Sequence, residues 1–420
     1  MDTTLRGAIK KGLKLPRRTA NSYFYLPQAL GGLGIPSAWD EAHVTRAAQA
    51  FKFLGDTRDP TIRNVALQQL SDTVAKRSRR LDPTKMEDLS EFLNTSPSPG
   101  EGHSATLHTS KHQLNWLQRK RAFQVQKEAF GARHLSHIKH SSDQGRAFDS
   151  FSLHHDSSYF TYTGAFLSFY QYRFIHKARL NLLPVRTVQA RCHRPVPSTL
   201  CCHCGREQET LAHTLNHCTH NLGMARDRHN SVLERIIRAV PEHLGTKYKE
   251  QAIPGTSGAN RPDLAIVSPD ESSIILVEVC CPFEGSPTAL EDAANSKLQK
   301  YEPLRQILLQ RYSSVEVFPF IVGSLGSWYP PNDRVLSRLH IGWKYANLMR
   351  RLCVMSAIAG SQLIWYKSMC TQRRRPQHGV NADAAVGDGS TSARGGPDAA
   401  DDRVTTVDSE TVNTDPAALM

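Results

Sequence analysis

A pair of carboxylates in RPDLAIVSPDESSIILVEVCCPFE, residues 261–284, is the first feature that could do chemistry. Two apolar runs that read as strands flank a polar turn. A turn centred between Asp270 and Glu271, with a loop of either two or four residues, sets Asp263 opposite Glu278. Like charges directly opposite each other destabilise a sheet, and a divalent cation with oxygen ligands is the simplest compensation. The pair therefore predicts a Mg²⁺ or Mn²⁺ site suited to phosphodiester cleavage.

A basic side chain for these carboxylates is expected from the next segment, SPTALEDAANSKLQKY. Its Thr288-x-x-Glu291 pattern predicts a capping box that starts a helix. Lys297, Lys300 and Tyr301 lie three and four positions apart, so they share one helical face. Apolar residues on that face indicate that it looks inward, toward the carboxylates. The alternative is a pair of solvated lysines on a surface helix.

The segment CCHCGREQETLAHTLNHC has the composition of a metal site. Cys201, Cys204, His213 and Cys218 offer three thiolates and one imidazole, the ligand set of a closed tetrahedral zinc site. Gly205 follows the second cysteine, where a knuckle turn needs an unhindered backbone. The ligand register is not unique, because four neighbours are also candidates: Cys202, His203, His217 and His220. Four protein ligands leave no open position, so we expect a structural zinc ion.

Charge and composition limit the class of protein. The chain has 420 residues, a formal net charge of +13 and nine clustered cysteines. The positive charge favours a polyanionic partner. The clustered cysteines, without a secretory segment near Met1, favour thiols in a reducing compartment over disulfides. No apolar run reaches the roughly 18 residues of a membrane span, so we expect a soluble protein without a membrane partner.

Composition shifts along the chain predict a multidomain α plus α/β protein. A basic amphipathic segment after the first linker could lie along a phosphate backbone or form a solvated face, and its candidate contacts are Lys111, Arg119, Lys120 and Arg121. The predicted regions are helices over 1–92, a polar linker over 93–110, a basic helical region over 111–195, a zinc knuckle over 196–221, a mixed α/β domain over 222–370 and a disordered tail over 371–420.

An ordered set of motifs over residues 1–370 resembles a known family. In chain order the motifs are YFYLPQALGGLGIPS, DEAHVTRAAQAFKFL, RLNLLPVRT, the cysteine cluster, RHN, RPDLAIV, VEVCCPFE, SKLQKY, LGSW and GSQLIWY. Their order resembles the C-terminal half of reverse transcriptases from non-LTR retrotransposons that carry a restriction-like endonuclease. No single motif is decisive, but the ordered set is specific.

The resemblance implies a fold: a helical thumb-like region, a small zinc knuckle, and a restriction-endonuclease-like mixed β-sheet core with flanking helices. It also implies an activity. The family's nuclease nicks target DNA, and the exposed 3′-hydroxyl primes reverse transcription of the element's RNA. Target DNA and element RNA are thus the implied partners, in the nucleus. The motifs match Asp263 and Glu278 to the metal carboxylates, Lys297 or Lys300 to a displaced lysine, and Tyr301, Arg228, His229 and Glu284 to further motif positions.

Two departures from the family's pattern shape the expectations. Glutamate stands at 278, where the family usually has aspartate, and its extra methylene would shift the metal. The chain contains no Tyr/Phe-x-Asp-Asp motif, so we expect no polymerase activity from it alone. Two alternatives stay open: a nucleic-acid-binding remnant without cleavage, and a zinc-knuckle adaptor for protein partners.

Overall fold

A computed structural model describes residues 2–54, 59–78, 106–108, 113–253 and 261–374. Within them the helices are α1 Asp2–Gly12, α2 Ser22–Tyr25, α3 Ala38–Leu54, α4 Pro60–Ser78, α5 Ala122–Lys139, α6 Phe148–Phe151, α7 Phe160–Thr163, α8 Phe169–Arg179, α9 Arg186–Arg191, α10 Leu222–Ala239, α11 Ala289–Leu308, α12 Asn332–Arg338 and α13 Trp343–Arg374. The strands are β1 Thr106–His108, β2 Gln113–Asn115, β3 Thr246–Lys249, β4 Leu264–Val267, β5 Ser273–Cys280 and β6 Ser314–Ile321.

The C-terminal part of the fold is built on a small mixed sheet of four strands in the order β3-β4-β5-β6. The first three strands are antiparallel neighbours, and β6 runs parallel to β5. Parallel neighbours need a crossover connection, and helix α11 provides it. Strand β4 is buried at every position, and all six central residues of β5 are buried too. The sheet is therefore an interior layer, with α10 and α13 packed against each other beside it.

The register of the β4–β5 hairpin is the predicted one. Leu264 pairs with Val277 and Val267 pairs with Ile274, so the next pair outward joins Asp263 and Glu278. Ser268 and Ser273 close a loop of four residues, in which Asp270 accepts hydrogen bonds from both neighbouring serine hydroxyls. The sequence therefore predicted the face-to-face placement of the two carboxylates correctly.

One hydrophobic core joins the regions that the sequence divides. It includes Phe24 and Phe148 from the N-terminal helices, Leu215 from the cysteine-rich segment, Val277 from β5 and Ile358 from α13. The described residues up to Arg374 accordingly belong to one compact unit. The predicted boundaries between helical, knuckle and α/β regions thus lie within a continuous core.

A buried arginine links the helical region to the loop after β6. Arg179 is 2% exposed, and its guanidinium stacks 3.8 Å from the ring centroid of Phe151. It donates hydrogen bonds to the carbonyls of Ser157 and Leu325 and to the hydroxyl of Ser158. Burial lowers the pKa of Arg179 to about 10, but the group stays charged at neutral pH. These bonds compensate its desolvation, which would otherwise be costly.

The local secondary structure differs from the prediction in three places. The basic segment is not one helix from Lys111: strand β2 and a 3₁₀ turn over Trp116–Arg121 precede α5. The β1–β2 hairpin, where Leu107 pairs with Leu114, decides that local structure, and β1 lies inside the predicted polar linker. Helix α13 continues to Arg374, beyond the predicted end at 370, because glutamine and arginine favour helices despite their polarity.

The remaining sequence expectations fall partly outside the structure. The predicted tail beyond Arg374 and most of the 93–110 linker lie outside the described residues, as does the end of the 1–92 region after Ser78. Among the residues that are described, no helix is long and apolar enough to cross a membrane.

Candidate functional site

The predicted cysteine–histidine cluster is assembled in the structure. The ligand atoms of Cys201, Cys204, His213 and Cys218 all lie within 4.8 Å of one another. The Sγ atoms of Cys201 and Cys218 are 3.8 Å apart, and the Sγ of Cys204 is 3.3 Å from Nε2 of His213. The four predicted ligands therefore lie together, and the cluster could bind a metal ion such as zinc.

Two turns, one tight and one wide, bring the four ligands together. In the first, the N–H of Gly205 donates to the carbonyl of Cys201 at 2.8 Å, and Gly205 has a φ of +66°. A side chain is strained in that conformation, which explains the glycine. In the second, a wide helical turn over His213–His217 closes with a 2.7 Å hydrogen bond from the N–H of Cys218 to the carbonyl of His213. Each turn thus presents two ligands.

The chemistry of the donor set fits zinc. Nδ1 of His213 donates to a carboxylate oxygen of Glu207 at 3.0 Å, which leaves Nε2 directed toward the thiol of Cys204. Such an outer hydrogen bond fixes the tautomer of a ligating histidine. Hydrogen bonds from the backbone of Arg206, opposed by burial, lower the pKa of the Cys204 thiol to about 7. A thiolate at neutral pH is the form that binds metal.

Two of the spare candidates have other partners. Nε2 of His203 lies 3.0 Å from the carbonyl of Ser368 in α13, and the ring of His203 stacks parallel to that of His220, with centroids 4.5 Å apart. These two histidines therefore join the knuckle to α13.

Each of the two hairpin carboxylates accepts a backbone hydrogen bond from the opposite strand. The N–H of Asp263 donates to Oε1 of Glu278 at 2.9 Å, and the N–H of Val279 donates to Oδ2 of Asp263 at 2.8 Å. Glu278 is fully buried, whereas the side chain of Asp263 is 16% exposed. The reciprocal bonds hold both carboxylates at the end of the β4–β5 ladder.

The structure distinguishes between the two candidate lysines. Nζ of Lys297 lies 3.2 Å from Oε2 of Glu278, so this lysine enters the site from α11 as expected. Lys300 is exposed and instead donates to the hydroxyl of Tyr301 at 3.1 Å. Tyr301 is buried one turn from Lys297 and donates to the carbonyl of Arg261 at 3.1 Å. Lys297 and Tyr301 therefore face inward, and the expectation that Lys300 shares their position is wrong.

The predicted capping box does not form. Helix α11 begins at Ala289 behind Thr288, as the pattern indicates, but Thr288 makes no side-chain cap to the backbone. Its hydroxyl donates to the carboxylate of Asp292 at 2.8 Å instead. Because Thr288 has a helix-like ψ of −1°, its side chain lies beside the first turn and not across its end.

His229 and Glu250 complete the group around Asp263. Nε2 of His229, on α10, lies 3.0 Å from Oδ2 of Asp263. A carboxylate oxygen of Glu250 lies within 4.8 Å of ligand atoms of both His229 and Asp263. Glu250 directly follows β3, and its N–H donates to the carbonyl of Asp263 at 3.1 Å. The sequence gives no signal for Glu250, because only the β3–β4 pairing brings it here.

Electrostatic coupling sets the charges in this group. Burial by itself would raise the pKa of Asp263, but the hydrogen bond and charge of His229 hold it below its usual range. The same interaction raises the pKa of His229 against the effect of burial. Burial and the nearby charge of Asp263 raise the pKa of Glu278, while its attraction for Lys297 raises the pKa of that lysine against burial. The two neighbouring acids, Asp263 and Glu278, are thus each paired with a base, His229 and Lys297 respectively.

Arg228 and Glu284 are structural in this fold. Arg228, predicted to contact nucleic acid, is 3% exposed; its Nη1 donates to the hydroxyl of Ser361 at 2.9 Å, which corrects that prediction. In the amphipathic helix α10, Arg228 lies on the buried face and His229 lies on the neighbouring face. Glu284 is fully buried and accepts hydrogen bonds from the N–H groups of Leu325 and Ser327. It therefore fixes the loop after β6.

The predicted basic contacts are only partly visible. Lys120 and Arg121 are exposed at the end of the 3₁₀ turn before α5. Arg119 belongs to the same turn, but its side chain is outside the description, and Lys111 lies outside the described residues altogether. Both alternatives therefore stay open: Lys120 and Arg121 contact a phosphate backbone, or they form a solvated face.

The comparisons with protein-family models and with curated proteins identify no relative of this chain. No protein-family model matches the chain, and a search of curated proteins gives no match. The chemistry of the two clusters is therefore the main guide to function.

Proposed function

We propose that the chain is part of a retrotransposon-type reverse transcriptase whose α/β region is a metal-dependent DNA endonuclease. The observation that carries this proposal is the Asp263–Glu278 pair with Lys297 at 3.2 Å from Glu278 and His229 at 3.0 Å from Asp263. Two facing carboxylates at the end of a mixed sheet, with a lysine from the neighbouring helix, are the parts that a restriction-like nuclease needs. The fold is proposed to be of that restriction-enzyme type.

The donor set suits a divalent cation. Asp263 and Glu250 offer carboxylate oxygens within 4.8 Å of each other, and Glu278 faces Asp263 across the hairpin. Carboxylate oxygens suit Mg²⁺ and Mn²⁺. When bound, such an ion activates water and stabilises the leaving oxygen of a phosphodiester.

Each side chain has a distinct part in the proposed reaction. Asp263 is the central metal ligand, since it contacts both strands of the hairpin and His229. His229 orients that carboxylate through its hydrogen bond. Lys297 carries a positive charge beside Glu278, where it can steady a phosphate or the attacking water. Tyr301 holds the backbone at Arg261, two residues before Asp263, and is a positioning residue.

The rest of the chain would bind the substrates. A zinc-bound knuckle and the exposed basic residues Lys120 and Arg121 suit the proposed partners, target DNA and the element's RNA. A DNA target places the protein in the nucleus. The nick would supply the 3′-hydroxyl that primes reverse transcription.

The test is nicking of supercoiled plasmid by the full chain with Mg²⁺ or Mn²⁺. Asp263→Asn should reduce nicking about 1,000-fold, in keeping with loss of a metal ligand. Asp227→Asn, an exposed carboxylate on α10, is the matched control and should nick normally. Equal nicking by wild type and Asp263→Asn, or no metal-dependent nicking by either, would reject the endonuclease.

A second candidate is a nucleic-acid-binding remnant without cleavage. The favouring observation is that Glu278 is fully buried, with its oxygens engaged by Lys297 and by the N–H of Asp263. Salt-dependent nucleic-acid binding without nicking would support this candidate.

A further inference from the structure

Two adjoining concavities outside the nuclease site share one lysine. The first, with a volume of about 430 Å³, has five basic side chains in its wall: Lys14, Arg17, Arg18, Lys177 and Arg194. The second, about 260 Å³, joins Lys177 and Arg173 to the aromatic residues Tyr170, Trp365 and Tyr366. We call this combined surface the basic–aromatic track. None of its residues belongs to the metal cluster or to the carboxylate site.

The track concentrates positive charge without local compensation. Among the described residues that line the two concavities, there is no aspartate or glutamate. Burial, and after it the nearby charges of Arg173 and Lys14, lower the pKa of Lys177. A concave surface of one sign attracts a polyanion of the opposite sign.

The basic loop is held in place by the fold. Nζ of Lys10 donates to the carbonyl of Arg17 at 2.8 Å, and the amide of Gln144 donates to the carbonyl of Arg18 at 3.0 Å. The backbone is thus fixed while the side chains of Arg17 and Arg18 are exposed. A fixed backbone reduces the entropy that binding must overcome.

Aromatic rings are exposed beside these charges. Tyr170 is 76% exposed at the start of α8, and Tyr366 is 53% exposed near the end of α13. Trp365 lines the same concavity and packs against Phe174, with ring centroids 5.9 Å apart; its buried indole N–H has no hydrogen-bond partner among the described residues. Exposed rings next to arginine and lysine offer stacking platforms for unpaired bases.

We infer that the basic–aromatic track binds a single-stranded nucleic acid, with its phosphates on Lys14, Arg17 and Arg18 and its bases stacked on Tyr170 and Tyr366. A duplex keeps its bases stacked inside, so it could use the charges but not the rings. The inference goes beyond DNA nicking and does not depend on it.

The experiment is fluorescence anisotropy with the full chain and a labelled 20-nucleotide oligouridine, compared with a 20-base-pair DNA duplex. Wild type should bind the single strand at least tenfold more tightly than the duplex. Lys14→Ala/Arg17→Ala/Arg18→Ala should weaken binding at least tenfold and reduce the salt slope by about 2, because three single-strand phosphate contacts are lost.

The aromatic residues are tested separately. Tyr170→Ala/Tyr366→Ala should weaken single-strand binding at least tenfold without changing the salt slope, because stacking involves no counterion release. The matched controls are Arg238→Ala/Arg334→Ala/Lys344→Ala for charge and Tyr162→Ala/Tyr345→Ala for exposed rings. Both controls should bind within twofold of wild type.

A cross-linking measurement guards against variants that fail to fold. Wild-type chain irradiated with a 4-thiouridine oligonucleotide should give adducts at Tyr170 or Tyr366 by peptide mass spectrometry. Equal affinity for strand and duplex, equal losses in the control variants, or adducts confined to other residues would each overturn the inference.

Discussion

The knuckle and the carboxylate site hold their reactive groups by opposite means. The knuckle takes all four ligands from residues 201–218, a single short segment. The carboxylate site takes His229 from α10, Glu250 from the end of β3, Asp263 and Glu278 from the β4–β5 hairpin, and Lys297 from α11. A local site can be read from spacing, whereas a dispersed site depends on the whole sheet.

Charge balance also separates the two regions. In the knuckle three thiols and one imidazole face one another with no lysine or arginine among them, so a cation is needed to hold the thiols as thiolates. In the carboxylate site the ion pairs Lys297–Glu278 and His229–Asp263 stabilise the site without a metal. The knuckle should therefore collapse without its ion, and the carboxylate site should persist.

The largest effect is expected from losing a knuckle ligand. Cys218→Ser should abolish binding of one zinc ion per chain and destabilise the knuckle by about 5 kcal/mol, a fraction of the roughly 10–16 kcal/mol that zinc supplies to zinc-finger peptides. Metal analysis and thermal unfolding would measure this. Cys202→Ser is the control, since Cys202 lies outside the ligand set and should keep the zinc. Equal zinc loss in both variants would refute the ligand register.

The next effect tests whether the carboxylate site stabilises itself. Glu278→Ala leaves Lys297 half-buried without its partner and the N–H of Asp263 without its acceptor, so the free energy of unfolding should fall by about 3 kcal/mol. Urea denaturation in EDTA would measure it. Lys297→Met in the Glu278→Ala background should recover part of the loss. Full stability of Glu278→Ala in EDTA would mean that the ion pair contributes nothing.

The His229–Asp263 pair predicts a pH dependence of stability. Because the pKa of His229 is raised in the folded protein, His229 contributes to the free energy of unfolding. This contribution is complete below the unfolded pKa and is lost as the pH rises through the folded pKa. The pKa of Asp263 is lowered in the folded protein, so the contribution of Asp263 to the free energy of unfolding is lost only as the pH falls through the folded pKa. His229→Gln should therefore destabilise the protein by about 1 kcal/mol at pH 5.5 and by less at pH 8.5. Urea unfolding at both pH values would show it; the reverse order would contradict the pairing.

The smallest effect concerns the backbone of the knuckle. Gly205→Ala should destabilise by about 1 kcal/mol, because an alanine is strained at φ +66° although no atom lies within 4 Å of the added methyl. Gly223→Ala, a helical glycine that also has open space, should be neutral or stabilising. Thermal unfolding of the zinc-bound protein would compare them. Identical shifts would show that Gly205 has no conformational role.

The sequence predicted more of the carboxylate site than of the ends of the helices and strands. A turn centred between Asp270 and Glu271 placed Asp263 opposite Glu278, because turn and loop length fix the register of a hairpin. The helical spacing offered both Lys297 and Lys300, but only packing of α11 on the sheet decided between them. Glu250 was missed because no periodicity marks it, and Arg228 was misread because its burial depends on α13.

The sequence by itself indicated where the knuckle lies and which register the hairpin takes, because both depend on turns within one short segment. Only the tertiary structure decided which lysine meets Glu278, that His229 and Glu250 join Asp263, and that Arg228 is interior. The same holds for the basic–aromatic track, whose parts come from residues 14–18, 170–177, 194 and 365–366. Contacts between distant segments are fixed by burial of a shared core, which local spacing does not encode.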